Sequence, residues 1–202
     1  MPRHLLFAVV LSITFAAGAF MALRYSEPAM PEFALVLPAG QQVPEFSLVD
    51  QDGNSVDAAV FRDRWDLVFF GFTHCPDVCP TTLQVLSQAQ QTLRESAAAA
   101  LPRIVLVSVD PERDTPPLMA RYVSHFGEGS LGLTGDLEEI RKLAGGLGIF
   151  FEKQPSVDGN YGVDHSAAVL LIDPNGELRA VFSAPHAPAN FVHDLPLITG
   201  GR

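Results

Sequence analysis

Three hydrophobic patterns follow one another along the chain of 202 residues. From Leu5 to Leu23 the residues are uncharged and dominated by Leu, Ala, Val and Phe. At about 1.5 Å per residue a helix of that length just crosses a bilayer core, so residues 1–23 are expected to form a transmembrane anchor. Ala17-Gly18-Ala19 also offers the small residues of a cleavable secretory leader, but the apolar run continues through Phe20-Met21-Ala22-Leu23, which favours an uncleaved helix. Periodicity then lapses. Residues 24–40 contain Pro28, Pro31 and Pro38 and read as an extended linker, with one domain expected over 41–202.

In that domain short apolar runs alternate with segments of helical spacing. Phe46 to Asp50 reads as a strand that turns at Gln51-Asp52-Gly53-Asn54 and returns near Ser55-Val56. Asp66 to Phe72 is a nearly continuous apolar run, the pattern of a central strand covered on both faces. Leu83, Leu86 and Leu93, with Val85 and Ala89 beside them, predict a helix from Thr81 to about Ala97. A second buried strand follows over Ile104 to Val109, and Thr115-Pro116 caps a helix through Phe126. Leu131 to Thr134 is a short third strand. Asp136 and Glu139 form a capping-box-like start to a helix ending at Gly145-Gly146. Ala167 to Asp173 and Glu177 to Phe182 flank Pro174-Asn175-Gly176 as a hairpin, and a last helix lies around Ala189 to Leu195. Parallel crossovers closed by a hairpin and a helix describe an α/β sandwich of the thioredoxin type, here following an N-terminal transmembrane helix.

Charge changes the picture in two ways. Arg3 and His4 precede the apolar run and the bulk of the chain follows it, so the amino terminus is expected in the cytoplasm and the domain in the periplasm or otherwise outside the cytoplasm, on a single-pass inner membrane anchor of bacterial type. Arg24 weakens that asymmetry. The formal net charge of −10 argues against nucleic acid and anionic headgroups as partners and suits a cation or a basic protein patch.

Candidate chemistry gathers at one place. Cys75 and Cys79, the only two cysteines, stand in Phe72-Thr73-His74-Cys75-Pro76-Asp77-Val78-Cys79-Pro80, straight after the central strand. Thiols at this spacing can close a disulfide, work as a redox couple, or hold one soft metal ion; a buried structural pair is the bland alternative. At a helix amino terminus, unpaired N–H groups and the dipole stabilise a thiolate, although the sequence leaves open whether that helix starts at Pro76 or Pro80. Redox enzymes of this fold use Cys-x-x-Cys, whereas Cys-x-x-x-Cys sets two sulfurs on one side of a helical turn. Two sulfurs leave Cu(I) under-coordinated, so a metal site needs a third ligand, for which imidazole is best suited. Of six histidines, His165 lies before the strand Ala167 to Ile172, which in such a fold runs beside the thiol-bearing helix; His74 adjoins Cys75 but points away, and His4, His125, His186 and His193 have no paired signal. The carboxylates of Asp110 to Thr115 read as structural, because proline, a helix cap and Arg113 account for most of the motif.

Cys-Pro-Asp-Val-Cys-Pro at 75–80, Val107-Ser108-Val109-Asp110-Pro111-Glu112-Arg113-Asp114-Thr115-Pro116 and Asp164-His165-Ser166-Ala167 together resemble the Sco/SenC family of copper-binding proteins, over about residues 41–198. The resemblance implies copper held by Cys75, Cys79 and His165, and the two sulfurs favour Cu(I) over Cu(II). It also implies delivery to the dinuclear copper centre of cytochrome c oxidase subunit II, and gives Asp77 a part in copper binding or transfer beside its plain reading as a loop carboxylate. Oxidation of the pair would abolish binding, so a periplasmic thiol reductant is an expected partner. The competing function is a thiol-disulfide reductase or thiol peroxidase with Cys75 attacking and Cys79 resolving. A redox or copper sensor is a third reading.

Overall fold

The computed structural model describes residues 7, 11–15, 29–96, 100–155 and 161–200, in a chain that divides into Met1–Met30 and Pro31–Arg202. In the first unit residues 7 and 11–15 are helical. No helix among the described residues is long and apolar enough to cross a membrane, and most of the span expected over 5–23 lies outside them.

The second unit is built on one eight-stranded sheet. In chain order its strands are β1 (Ala34–Gln42), β2 (Leu48–Asp50), β3 (Ser55–Val56), β4 (Asp66–Gly71), β5 (Arg103–Ser108), β6 (Leu131–Thr134), β9 (Val169–Ile172) and β10 (Glu177–Phe182); β7 (Phe151–Lys153) and β8 (Val163–His165) form a separate ribbon. Helices α1 (Val78–Glu95), α2 (Pro116–Val123), α3 (Leu137–Gly146) and α4 (Pro188–Ile198) complete it. The sheet order is β1-β10-β9-β4-β5-β6-β2-β3, with β4, β5 and β6 parallel and β9 antiparallel to β4. This is the α/β arrangement that the alternating runs predict.

Local chemistry explains most boundaries. Every residue of β4 is buried, as its unbroken apolar run requires. Helix α1 starts at Val78, which puts Pro80 in the first turn, where no intrahelical N–H is needed. Asp136 caps α3 by accepting from the N–H groups of Glu138 and Glu139. Only half of the expected capping box forms, because the Glu139 carboxylate accepts from the Ser47 N–H at 2.8 Å. In the β9–β10 turn Asp173 accepts from Asn175 and Glu177, and Gly176 takes the positive φ of 77° that the turn requires.

Two parts differ from expectation. Residues 34–40, read as linker, belong to β1, which pairs antiparallel with β10 at the sheet edge. The buried Asp194 carboxylate of α4 holds the chain there, accepting from the N–H groups of Glu32, Phe33 and Ala34 at 2.9, 2.7 and 2.7 Å. The second difference is the β7–β8 ribbon, which the hydrophobic pattern does not announce because each strand has three residues and buries little.

Register decides what meets at one end of the sheet. β4 and β5 run parallel with Gly71 opposite Ser108, so the loops after both emerge together. β9 runs the other way with Val169 opposite Phe69, so the residues just before β9 stand beside those just after β4.

Candidate metal centre

Cys75 and Cys79 flank the start of α1, and both thiols are free. The Cys75 N–H donates to the Phe72 carbonyl at 3.2 Å, a turn that lifts Cys75 to a half-buried position at the rim. Cys79, one turn on, is wholly buried against β4. Its N–H donates to the Cys75 sulfur at 3.4 Å, so an amide of the helix amino terminus is spent on a ligand-type atom.

His165 is the last residue of β8, in a strand of its own, rather than at the mouth of β9. Pairing of Phe151 with His165 across the ribbon carries it over the start of α1. Its Nε2 lies 3.4 Å from the Cys79 sulfur, and the donor atoms of Cys75, Cys79 and His165 all lie within 4.8 Å of one another. Nδ1 meets the Ser166 carbonyl at 3.1 Å; with the proton on Nδ1 to donate there, the Nε2 lone pair faces the sulfurs. Phe69 and Phe72 hold the ring edge-on, with centroids 5.6 and 6.0 Å away.

Electrostatics favour neutral groups here. Burial lowers the His165 pKa from its ordinary value, outweighing the Ser166 carbonyl and Asp164, so the imidazole is neutral and able to ligate. Burial raises the Cys79 pKa, as does its hydrogen bond with Cys75, against the lowering from the Phe72 backbone. The helix-terminus argument for an acidic thiol is therefore overridden at Cys79 by desolvation. Two sulfurs and an imidazole nitrogen converging in an apolar corner form a soft donor set, suited to Cu(I) or Zn(II) and poorly suited to Mg(II) or Ca(II).

Around this corner a polar network sets the loops. Asp114, wholly buried, accepts from the Thr73 N–H at 3.1 Å, the Thr73 hydroxyl at 2.6 Å and the Ser108 hydroxyl at 2.7 Å, which pins the cysteine loop to the end of β5. Asp110 pairs with Arg113 and accepts from the Tyr161 hydroxyl at 2.8 Å. The Arg113 guanidinium stacks 3.7 Å from the Tyr161 ring centroid and 5.7 Å from that of Phe72, between the histidine-bearing and cysteine-bearing segments. Glu112 takes Lys153 of β7 at 2.6 Å. The structural reading of residues 110–115 matches these bonds. What the sequence did not signal is the contribution of Thr73, Ser108 and Tyr161, polar residues with no periodicity to mark them.

The remaining candidates stand apart from the trio. Asp77 is exposed at the cap of α1 and its carboxylate meets the Thr81 hydroxyl at 3.4 Å. His74 is exposed, with Nδ1 3.1 Å from the Thr73 hydroxyl. His125 and His186 bind the carbonyls of Arg121 and Ala167, and His193 binds Asp194. His4 lies outside the described residues.

Comparison with known proteins places this corner in context. A sequence model of SCO1/SenC matches residues 37–199. A protein of Stutzerimonas stutzeri named as copper-binding is 38% identical over 151 residues, covering 75% of this chain and 74% of its own length. The mitochondrial SCO2 homolog of Mus musculus is 41% identical over 133 residues, 65% of this chain; the match spans only 52% of that mouse protein. Among solved structures, Arabidopsis thaliana ScoI with copper bound superposes with a TM-score of 0.74 at 32% identity, over 79% of this chain and 98% of its own.

Proposed function

The chain belongs to the SCO1/SenC family, and we propose that it is a membrane-anchored copper chaperone. In this reading Cys75, Cys79 and His165 hold Cu(I) and release it to the dinuclear copper centre of cytochrome c oxidase subunit II. The carrying observation is the convergence of those three side chains, separated by up to 90 positions in sequence, within 4.8 Å. The copper named for the relatives supports the cargo, and the softness of the donors supports the oxidation state. The half-buried Cys75 and His165 are the side from which an acceptor's ligands reach the ion, while the wholly buried Cys79 forms the floor. Transfer is then a series of ligand exchanges that begins at Cys75. The apolar run at 5–23 is the anchor that keeps the domain at the membrane face, with the domain in the periplasm and residues between anchor and sheet as tether.

A disulfide between the two cysteines would remove both sulfurs from the site, so the chaperone works with a thiol reductant in the same compartment. Exposure of Cys75 over buried Cys79 also suits the order of attack of a thiol-disulfide reductase, and the copper-free reduced protein should be assayed for disulfide and peroxide turnover. The deciding experiment is an anaerobic titration of the reduced full-length protein in detergent with Cu(I) against a competing chelator, repeated with His165→Ala. One tight equivalent, weakened by the substitution, is expected; no tight equivalent, or indifference to His165→Ala, refutes the three-ligand site.

A further inference from the structure

Gly71 closes β4, and its backbone is not in the left-handed region, so nothing in its own conformation calls for glycine. What calls for it is space. A Cβ placed at residue 71 would lie 2.9 Å from the Cys79 sulfur, 2.9 Å from Cε1 of Phe69 and 3.4 Å from Cδ1 of Leu106. The first two distances are closer than real Cβ contacts allow, so those groups would have to move. Cys79, Phe69 and Leu106 are all wholly buried, which leaves none of them an open side to move into.

The two tightest contacts belong to the site already described. One is the Cys79 sulfur itself. The other is the ring whose edge packs on His165 at 5.6 Å between centroids. Strand parity explains the coincidence, since residues 67, 69 and 71 face the same side of the sheet, the side on which α1 lays Cys79. A side chain at 71 would therefore displace one ligand directly and press on a second through Phe69. The separation of those two ligands, 3.4 Å from Sγ to Nε2, is the gap that a bound ion must widen and bridge.

The geometry points to Gly71 as a positioning residue of the metal centre: its missing side chain is the seat of the Cys79 sulfur and sets where that sulfur stands relative to the His165 imidazole. The inference rests on the copper reading of the site, but its packing half is independent of copper. Gly132 in β6 supplies a matched control. A Cβ there would meet Met119 and Val123 side chains at 3.2 Å, crowding the same sheet without touching a ligand.

The test compares Gly71→Ala and Gly132→Ala in the reduced full-length protein. With Gly71→Ala, Cu(I) affinity by chelator competition is expected to fall about ten- to a hundredfold, the loss typical when support of a ligand is disturbed. Copper X-ray absorption should show an altered sulfur or nitrogen shell. Gly132→Ala should lower the thermal midpoint and leave both copper readouts as in the parent. In the copper-free protein, the thermal loss from Gly71→Ala should shrink in a Cys79→Ala background, because the displaced sulfur is gone. Should Gly71→Ala not fold, Gly71→Ala with Phe69→Leu vacates the ring contact and carries the same measurements, read against Phe69→Leu alone because that ring also packs on His165. Parent-like affinity and copper shell in Gly71→Ala, or thermal losses that simply add with Cys79→Ala, would overturn the proposal. A parent protein that takes up no tight Cu(I) would instead sink the copper reading, with the coupling between positions 71 and 79 still deciding whether Gly71 seats the sulfur.

Discussion

Two groups of three potential ligands share the same end of the sheet. Cys75, Cys79 and His165 form one; His74, Asp110 and Asp114 form the other, and both are close enough together to hold an ion. They differ in what their donor atoms already do. In the first, the sulfurs and the imidazole Nε2 face one another across a gap, with the ring held by its other nitrogen. In the second, Asp114 is engaged by Thr73 and Ser108, Asp110 by Arg113 and Tyr161, and His74 by Thr73. The lesson is that residue type and proximity do not make a site. Ligand atoms must face a common point, and in the carboxylate group Asp114 has spent its acceptors on Thr73 of the cysteine loop and on Ser108, and Asp110 on Arg113 and Tyr161.

The contrast can be broken most directly at the sulfurs. Cys79→Ser puts a hard hydroxyl where a soft donor stood and should abolish tight Cu(I) binding, while His74→Ala should leave it unchanged. Anaerobic chelator competition on the two variants measures both, and tight binding retained by Cys79→Ser would erase the distinction. A smaller effect is expected from Asp114→Ala, which leaves the buried Ser108 hydroxyl and the half-buried Thr73 N–H and hydroxyl without their acceptor. Loss of about 3 kcal/mol in urea unfolding is expected from hydrogen bonds to a buried charged acceptor, with a weaker fall in copper affinity than Cys79→Ser causes. If copper binding were lost outright while stability held, Asp114 would belong to the site rather than to its support.

The remaining contrast, between thiol and imidazole within the trio, is read from pH dependence. Burial holds the proton on Cys79, so binding Cu(I) must expel it, and affinity should rise with pH between about 6 and about 8, by about tenfold per unit for the Cys79 proton released. Burial pushes the His165 pKa below the ordinary 6.5 and so favours its neutral form in the upper part of that window, where His165→Ala should lower the affinity without changing the slope. In the copper-free protein the neutral half-buried imidazole favours folding above its unfolded pKa, and that contribution is lost as pH falls through the lowered folded one. A flattened slope in His165→Ala would mean that the imidazole, not the thiols, carries the proton.

Much of the fold was legible because it is written in runs and spacings. The nearly continuous apolar run Asp66 to Phe72 became the buried strand Asp66–Gly71, and the Leu83, Leu86 and Leu93 spacing became the buried face of α1. β1 was not legible, because the anchor that brings residues 32–34 into place is Asp194, about 160 positions away. The half-formed capping box at Asp136 has the same origin: Glu139 is drawn off by Ser47 across the fold. At the site the thiol pair was plain from its own spacing. His165 was singled out by its place before a strand, yet the ribbon that carries it left no pattern, since β7 and β8 are too short to show one. Gly71 could not be read as more than the end of a strand until Cys79 was seen packed against it.

What the sequence alone determined is local: an α/β order of elements, an apolar amino-terminal segment, and two thiols one turn apart after a central strand. Tertiary structure decided which thiol is buried, which histidine joins the pair, and which carboxylates are committed to holding loops. The physical reason is range. Propensity, capping and hydrophobic period act within a few residues, whereas ligand geometry and desolvation depend on the antiparallel register that sets Val169 opposite Phe69 and so brings position 165 to positions 75 and 79.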